Sequence, residues 1–269
     1  LMLFPGSVEE CYSMAMEAFD LADLFQTPVF VMMDLDLGMN NWMSNAFTYP
    51  SKGINRGKHL TAEKLKELGQ QWGRYKDVDG DGIAWRTVPG DGLPAYFARG
   101  SGHNAKAQYS ERPDDYVENV DRLGRKFDTA RRHVPAPEVH LNPKAKVGII
   151  AFGTSHFATE ESRDQLREET GVETSYFRLR GYPFNEALAK FVDAHERIYV
   201  IEQNRDGQMR QLMILDLTPA QGAKLRSVLH YSGLPIDARS ISDDVLAQEG
   251  FEVAKKEVVR ISAGSAGGE

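Results

Sequence analysis

A single cysteine, Cys11, stands in a chain of 269 residues. One thiol cannot close an intrachain disulfide, and it cannot hold an iron–sulfur cluster, which takes several thiolates. Cys11 falls inside a helical pattern, where a free cysteine serves as a small apolar packing residue more often than as a nucleophile. Excess basic charge is missing too. With 32 Lys and Arg against 39 Asp and Glu the formal net charge is −7, which argues against the clustered basic surface that nucleic-acid recognition requires. No apolar run approaches the roughly 18 residues of a membrane-spanning helix, and Leu1 to Pro5 lacks the length and basic flank of a signal peptide. Neither a nucleic acid nor a membrane is therefore an expected partner, and the acidic surface fits a cytoplasmic enzyme subunit.

What is present is a globular composition, 41% hydrophobic and 26% charged, with the patterning of an α/β protein. Leu1 to Phe4 reads as the end of a buried strand. Pro5-Gly6 is a turn that delivers Ser7 as a helix cap with Glu10 three residues on. Val8, Tyr12, Ala15, Phe19 and Ala22 then recur at helical spacing, and Val29 to Met33 reads as a strand buried on both faces. One helix and two strands cannot cover a parallel sheet, so the remaining strands are expected upstream of Leu1 or on another chain. Residues 46–143 form a connecting region rich in Gly, Pro, Asn and charge. It carries one helix from a Thr61 cap through Leu65, Leu68, Trp72 and Tyr75, and another from Asp114 through Val117, Val120, Leu123 and Phe127. Val134 to Pro143 reads as an extended linker, and a domain boundary is placed there.

From Lys144 the pattern is regular. Val147 to Phe152 is a buried strand, Gly153-Thr154-Ser155 turns into a helix expected from Thr159, Glu173 to Leu179 is a strand, a helix runs from Asn185, and Ile198 to Ile201 is a strand. This βαβαβ order predicts a Rossmann-like parallel sheet over 144–250. Ligand sites are then expected at the carboxyl ends of its strands, near Gly153 to Ser155, Arg178 to Gly181 and Glu202 to Asn204. Within 251–269, the Gly- and Ser-rich tail Ala263 to Glu269 is expected to be disordered.

Four motifs can carry chemistry, each with a plainer alternative. Asp77, Asp79 and Asp81 alternate ahead of Gly82 and can converge on a structural Ca²⁺ or Mg²⁺. An EF-hand loop would need Glu where Val88 stands, however, and an Asx-rich solvated turn explains the string equally well. Gly153-Thr154-Ser155 can cradle a phosphate or carboxylate, or simply cap a helix; it has neither a dinucleotide fingerprint nor a Walker lysine, and His156 beside it can be an acid–base group or a capping residue. Arg99 and His103, in Arg99-Gly-Ser-Gly-His103-Asn104, can meet a carboxylate or lie in a surface loop. Arg178 and Arg180 can bind an anion or pair with acidic neighbours. No triad, metal-ligand spacing or catalytic carboxylate pair follows from spacing, so the catalytic residues stay unassigned.

Several strings together resemble the alpha subunit of 2-oxoglutarate:ferredoxin oxidoreductases, in its C-terminal part. Pro5 to Cys11 with Gln26 to Val31 and Asp34 to Asn40 resembles the end of that family's thiamine-pyrimidine-binding domain, covering 1–45. Lys76 to Ile83, Arg99 to Asn104 and Arg125 to Ala130 resemble its connecting region. Gly153 to Ser155 with Ile201 to Gln208 resembles its second domain, of the transketolase C-terminal type. The resemblance implies thiamine diphosphate-dependent, coenzyme A-dependent oxidative decarboxylation of a 2-oxoacid, in either direction, with ferredoxin as electron acceptor. It also implies a beta subunit holding Mg²⁺, the cofactor's diphosphate and a [4Fe-4S] cluster, and a second alpha–beta unit. The family's upstream Tyr-Pro-Ile-Thr-Pro-like stretch has no counterpart here, so this part is expected to be pocket wall and assembly surface, not catalytic alone. Arg99 and His103 are the expected contacts for the distal carboxylate of 2-oxoglutarate. Two other readings stand beside this one: the same enzyme class acting on pyruvate or a branched-chain 2-oxoacid, and a non-catalytic interaction module.

Overall fold

The computed structural model describes residues 1–93 and 98–253. The Gly- and Ser-rich tail Ala263 to Glu269 lies outside the described residues. β1 (Met2–Leu3) leads through Pro5-Gly6 into α1 (Val8–Phe25). Ser7 caps α1 by accepting from Glu10 N at 3.2 Å, and the Glu10 carboxylate reaches back to accept from Gly6 N at 2.8 Å. β2 (Phe30–Val31) then pairs parallel to β1. The stripe Val8, Tyr12, Ala15, Phe19, Ala22 is not the buried one: Phe19 is 76% exposed, whereas Met14, Leu21 and Phe25 are buried. α1 carries apolar side chains at two helical phases, and its core takes the second. Burial of Val29 to Met33 on both faces is also not found. Among the described residues β2 has one neighbouring strand, and Phe30 at the edge is 60% exposed.

α2 (Leu35–Met39) follows directly, capped by Asp34. α3 (Ala62–Leu68) starts at the expected Thr61 cap but stops at Gly69, whose φ of 52° and ψ of −128° lie outside the α-helical region, and a single 3-10 turn, Gly69–Gln71, follows. Trp72 and Tyr75 therefore lie in irregular chain, the Trp72 indole donating to Trp85 O at 3.1 Å. α4 (Pro113–Ala130) is long, but its Val117, Val120, Leu123 and Phe127 face is exposed and its buried positions are Lys126 and Ala130. β3 (Glu138–His140) arises inside the stretch expected as linker.

The regular half has the predicted β4 (Val147–Ala151), α5 (Ser155–Thr170), β5 (Thr174–Arg178), α6 (Glu186–Asp193) and β7 (Arg197–Glu202) in order, and adds elements the pattern did not indicate: β6 (Gly181–Tyr182) before α6, and α7 (Gln208–Asp216), α8 (Pro219–Gly222), β8 (Leu225–Leu229) and α9 (Ala238–Glu249) after β7. α5 begins at Ser155, four residues ahead of the expected Thr159. The main sheet runs β3-β5-β4-β7-β8, all parallel except β3, which pairs antiparallel with β5. Alternation along β4 sends Ile150 to one face, with Phe177, Phe191 and Val200, and Ile149 to the other, with Leu166, Tyr199 and Val245. Both faces are thus helix-covered, the signature of an α/β domain. β6 leaves this half to pair antiparallel with β1, so a small sheet β2-β1-β6 joins the chain's beginning to its second half. No described helix is long and apolar enough to cross a membrane.

The connecting region is pinned to α4 at Gly82. A Cβ there would lie 2.2 Å from Lys126 N and 2.6 Å from Arg122 O, at φ +80°, whereas Gly80, at φ +78°, faces open space. Gly82→Ala is therefore expected to cost about 3 kcal/mol or more in urea unfolding, because helix backbone must move. Gly80→Ala should cost about 1 kcal/mol, the left-handed backbone term alone.

Candidate functional site

β4 is followed by β5 on one side of the main sheet, and β7 by β8 on the other, so the order in which strands are added reverses between the parallel neighbours β4 and β7. Open α/β sheets place ligands outside the carboxyl ends of such a strand pair. Two adjoining clefts lie there. One, of about 450 Å³, is lined by Met32, Met33, Phe152, Gly153 and Met209 among others. The other, of about 590 Å³, is lined by Met39, His230, Tyr231 and Leu234 among others. Asp34 and Gln203 line both.

The turn Gly153-Thr154-Ser155 is a carboxylate cradle, and its occupant is internal. Asp34 Oδ2 accepts from Thr154 N and from Thr154 Oγ1, each at 2.8 Å, while its other oxygen accepts from Leu37 N at 2.9 Å to cap α2. Gly153 has φ +60°, and a Cβ there would sit 2.7 Å from Asp34 Oδ2, so position 153 must be glycine for this carboxylate to enter. Gln203 Nε2 donates to Thr154 Oγ1 at 3.2 Å and to Ser155 Oγ at 3.1 Å, tying the β7 end to the same turn. Glu202, fully buried, accepts from Met209 N at 2.7 Å, Arg210 N at 3.0 Å and Asn204 Nδ2 at 2.8 Å. Two N–H groups of the first turn of α7 and the Asn204 side chain ahead of it compensate a charge that burial alone would penalise. The charged acids of the clefts are Asp34, Asp36 and Glu202; Asp34 and Glu202 are held by backbone N–H groups and side chains, and Asp36 accepts from the Asn40 side chain.

Arg178 and Arg180 pair with acidic neighbours, the plainer of the two readings. The Arg178 guanidinium, 8% exposed in its side chain, bonds Glu10 and lies 3.2 Å from Glu138; Arg180 reaches Glu10 at 3.0 Å. Gly6 is glycine because a Cβ there would meet Arg178 Nη2 at 2.6 Å. His156 lines neither cleft. It shares a 3.0 Å hydrogen bond with the Tyr176 hydroxyl, and burial, then the charge of Arg178, pushes its pKa below the usual histidine range.

Asp77, Asp79 and Asp81 do not converge on one point. Lys58 Nζ bonds Asp79 Oδ2 at 2.6 Å, Asp81 Oδ1 at 2.7 Å and Ile83 O at 2.8 Å, while Asp77 accepts from Gly80 N, Gly82 N and Arg125 Nε. A lysine ammonium thus stands where a hard cation was expected, and no group of three His, Cys, Asp or Glu able to hold a metal occurs among the described residues. Arg99 and His103 share a hairpin-like turn away from the switch-point clefts. His103 pairs across it with Tyr109, and the Arg99 guanidinium lies 6.0 Å from the Tyr109 ring centroid. The His103 ring is stacked on Tyr75 at 4.0 Å.

Sequence reasoning missed the role of Asp34, and it pointed to Glu10 as a capping residue and to the Glu202 to Asn204 strand end without finding their partners in Arg178 and the start of α7. Glu202 does end a buried strand, a position where a carboxylate has no room unless it is bonded, and that was the available signal. Asp34 and Glu10 act across 120 and 168 residues, a separation no local pattern reports.

The lysine-filled loop predicts a pH response. The hydrogen bond from Lys58, outweighing partial desolvation, holds the Asp79 carboxyl below the usual carboxylate range. A depressed folded pKa adds stability above the unfolded value of about 3.9 and loses it as pH falls through the folded value. Lys58→Met should therefore raise the midpoint of acid unfolding, and millimolar Ca²⁺ should leave the unfolding temperature of the unsubstituted protein unchanged. A Ca²⁺-dependent rise without substitution would show that the loop prefers a metal.

No family model matches the chain. A 2-oxoacid:ferredoxin oxidoreductase alpha subunit from Aeropyrum pernix is 28% identical over 220 residues, 79% of this chain and 33% of that protein. The 2-oxoglutarate synthase subunit KorA of Methanothermobacter thermautotrophicus is 24% identical over 224 residues, 78% of this chain and 54% of its own. The chain thus spans between a third and about half the length of these curated relatives. A solved structure, the 2-oxoglutarate:ferredoxin oxidoreductase of Magnetococcus marinus with 2-oxoglutarate, coenzyme A and succinyl-CoA bound, superposes with a TM-score of 0.75 at 21% identity, over 92% of this chain and 42% of that one. That likeness establishes the fold. Along about four-fifths of its length, the chain is a homologue of the alpha subunits of 2-oxoacid:ferredoxin oxidoreductases.

Proposed function

We propose that this chain works as part of the alpha subunit of a 2-oxoacid:ferredoxin oxidoreductase that takes 2-oxoglutarate. The complex would interconvert the 2-oxoacid and coenzyme A with acyl-CoA, CO₂ and reduced ferredoxin. The observation that carries this reading is similarity to alpha subunits over 79% of the chain.

Thiamine diphosphate, when bound in such a complex, would supply the stabilised carbanion that the decarboxylation needs. The switch-point clefts are a poor home for its diphosphate, since Asp34, Asp36 and Glu202 line them and no Lys or Arg does. One cysteine likewise cannot bind a [4Fe-4S] cluster. We therefore place diphosphate, Mg²⁺ and cluster on a beta subunit, with a second alpha–beta unit completing the assembly, in the cytoplasm. This chain would contribute wall and scaffold. Arg99 is the proposed clamp for the distal carboxylate, and His103, its ring held by Tyr75, would position the loop that carries it.

The test is to purify the native assembly and follow ferredoxin reduction with coenzyme A and either 2-oxoglutarate, pyruvate or a branched-chain 2-oxoacid. Reduction with 2-oxoglutarate is expected. Reduction with another acid alone would reassign the substrate, and none with any would leave an interaction module. Arg99→Ala should raise KM for 2-oxoglutarate about tenfold or more with little change in kcat, the loss of one charge-assisted contact; an unchanged KM removes Arg99 from the site.

A further inference from the structure

α4 is built inside out. The side it turns to the connecting region is held by polar contacts: Asn119 Nδ2 donates to His103 O at 2.6 Å, Arg122 Nη1 to Gly82 O at 3.1 Å, Thr129 Oγ1 to Asp81 O at 2.8 Å and Arg125 Nε to Asp77 Oδ2 at 3.0 Å. Tyr116, Val117, Val120, Leu123 and Phe127 face outward instead, from 69% exposed at Tyr116 to 38% at Leu123. A surface helix ordinarily lays such a stripe on its own core. Here nothing among the described residues covers it.

The stripe has the spacing of a helix–helix seam. Tyr116, Val120, Leu123 and Phe127 follow at intervals of four, three and four residues, the a and d positions of a heptad pattern, over about 17 Å at 1.5 Å per residue. Gly124 lies at its border, and a Cβ built there would meet nothing within 4 Å, which leaves room for a second backbone to come close.

The charge along the seam's outer border says what the second helix carries. Asp114, Asp121 and Asp128 recur seven residues apart, so they line one edge of the stripe along its length, while Glu118, Arg125 and Arg132 share the side opposite the seam. Arg112 pairs with Asp114, and Arg131, itself held by Asp216 at 2.6 Å, reaches Asp128 at 3.4 Å; Asp121 has no ion pair among the described residues. A second copy of α4 laid antiparallel would set this aspartate row against its own image. Laid parallel, it would press the row onto the side of the other α4 that the connecting region already occupies.

We propose that the outer face of α4 docks an amphipathic helix of a different chain, one whose apolar seam covers Tyr116 to Phe127 and whose Lys or Arg flank faces Asp114, Asp121 and Asp128. Apolar burial supplies the affinity, and the aspartate row sets orientation and partner choice. The inference needs only a partner chain and stands apart from the 2-oxoacid reading.

The test places the photocrosslinking residue p-benzoylphenylalanine at position 117 of the native protein and irradiates the purified assembly. The adduct is expected on a helix of another chain that carries Lys or Arg beside its apolar seam. An adduct on a second copy of this chain, on a segment that is not helical or on a helix flanked by acids overturns the proposal, as does the absence of any adduct to another chain. Val120→Asp should weaken retention of the crosslinked chain about tenfold or more. Asp121→Lys should weaken it about fivefold at low ionic strength, with the deficit shrinking by about 0.5 M salt. Retention by both variants equal to that of the unsubstituted protein overturns the docking face.

Discussion

The carboxylate of Asp34 sits in the turn where a sheet of this kind ordinarily receives an anion from outside. By accepting from Thr154 twice and from Leu37 once, it fixes the end of β2 against the start of α5, and Gly153 exists to let it in. Glu10 does the same work at the other end of the seam, where Arg178 and Arg180 are drawn from the β5 end onto the first turn of α1. With β6 paired to β1, these contacts make one body of two segments that are far apart in sequence. The shape and polarity of the switch-point clefts follow from that join.

A consequence is a division of charge. The clefts at the carboxyl ends of β4 and β7 are methionine-lined and acidic, suited to wall off apolar or neutral groups and unsuited to phosphate. Arg74 and Arg122 gather instead at the Tyr75 ring, with the Asp77 carboxylate beside Arg122. The Asp77–Asp81 loop supplies its own cation through Lys58. In an acidic chain this separation lets two surfaces meet chemically different neighbours.

The regular half was legible as far as β7 because β4, β5 and β7 are buried on both faces and their helices begin at recognisable turns, as Asn185 and Gly153 illustrate. The first half was harder to read. α1 has two apolar phases, and which one faces the core depends on strands whose positions the sequence does not report. β3 hid inside a proline-rich stretch because its pairing partner, β5, lies about 38 residues on in register, and propensity carries no information about such a partner. The Asp loop left two readings open for a related reason: alternating carboxylates attract any cation, and Lys58, which bonds Asp79 and Asp81, arrives from about 20 residues upstream.

The central claim, that Asp34 holds the two segments together through Thr154, is tested most directly by a double-mutant cycle of Asp34→Ala and Thr154→Ala, read by urea unfolding of the native protein. The account predicts a coupling of about 1–3 kcal/mol between the two substitutions. Additivity within about 0.5 kcal/mol would contradict it, leaving β1–β6 pairing and the Glu10–Arg178 contact to join the segments alone.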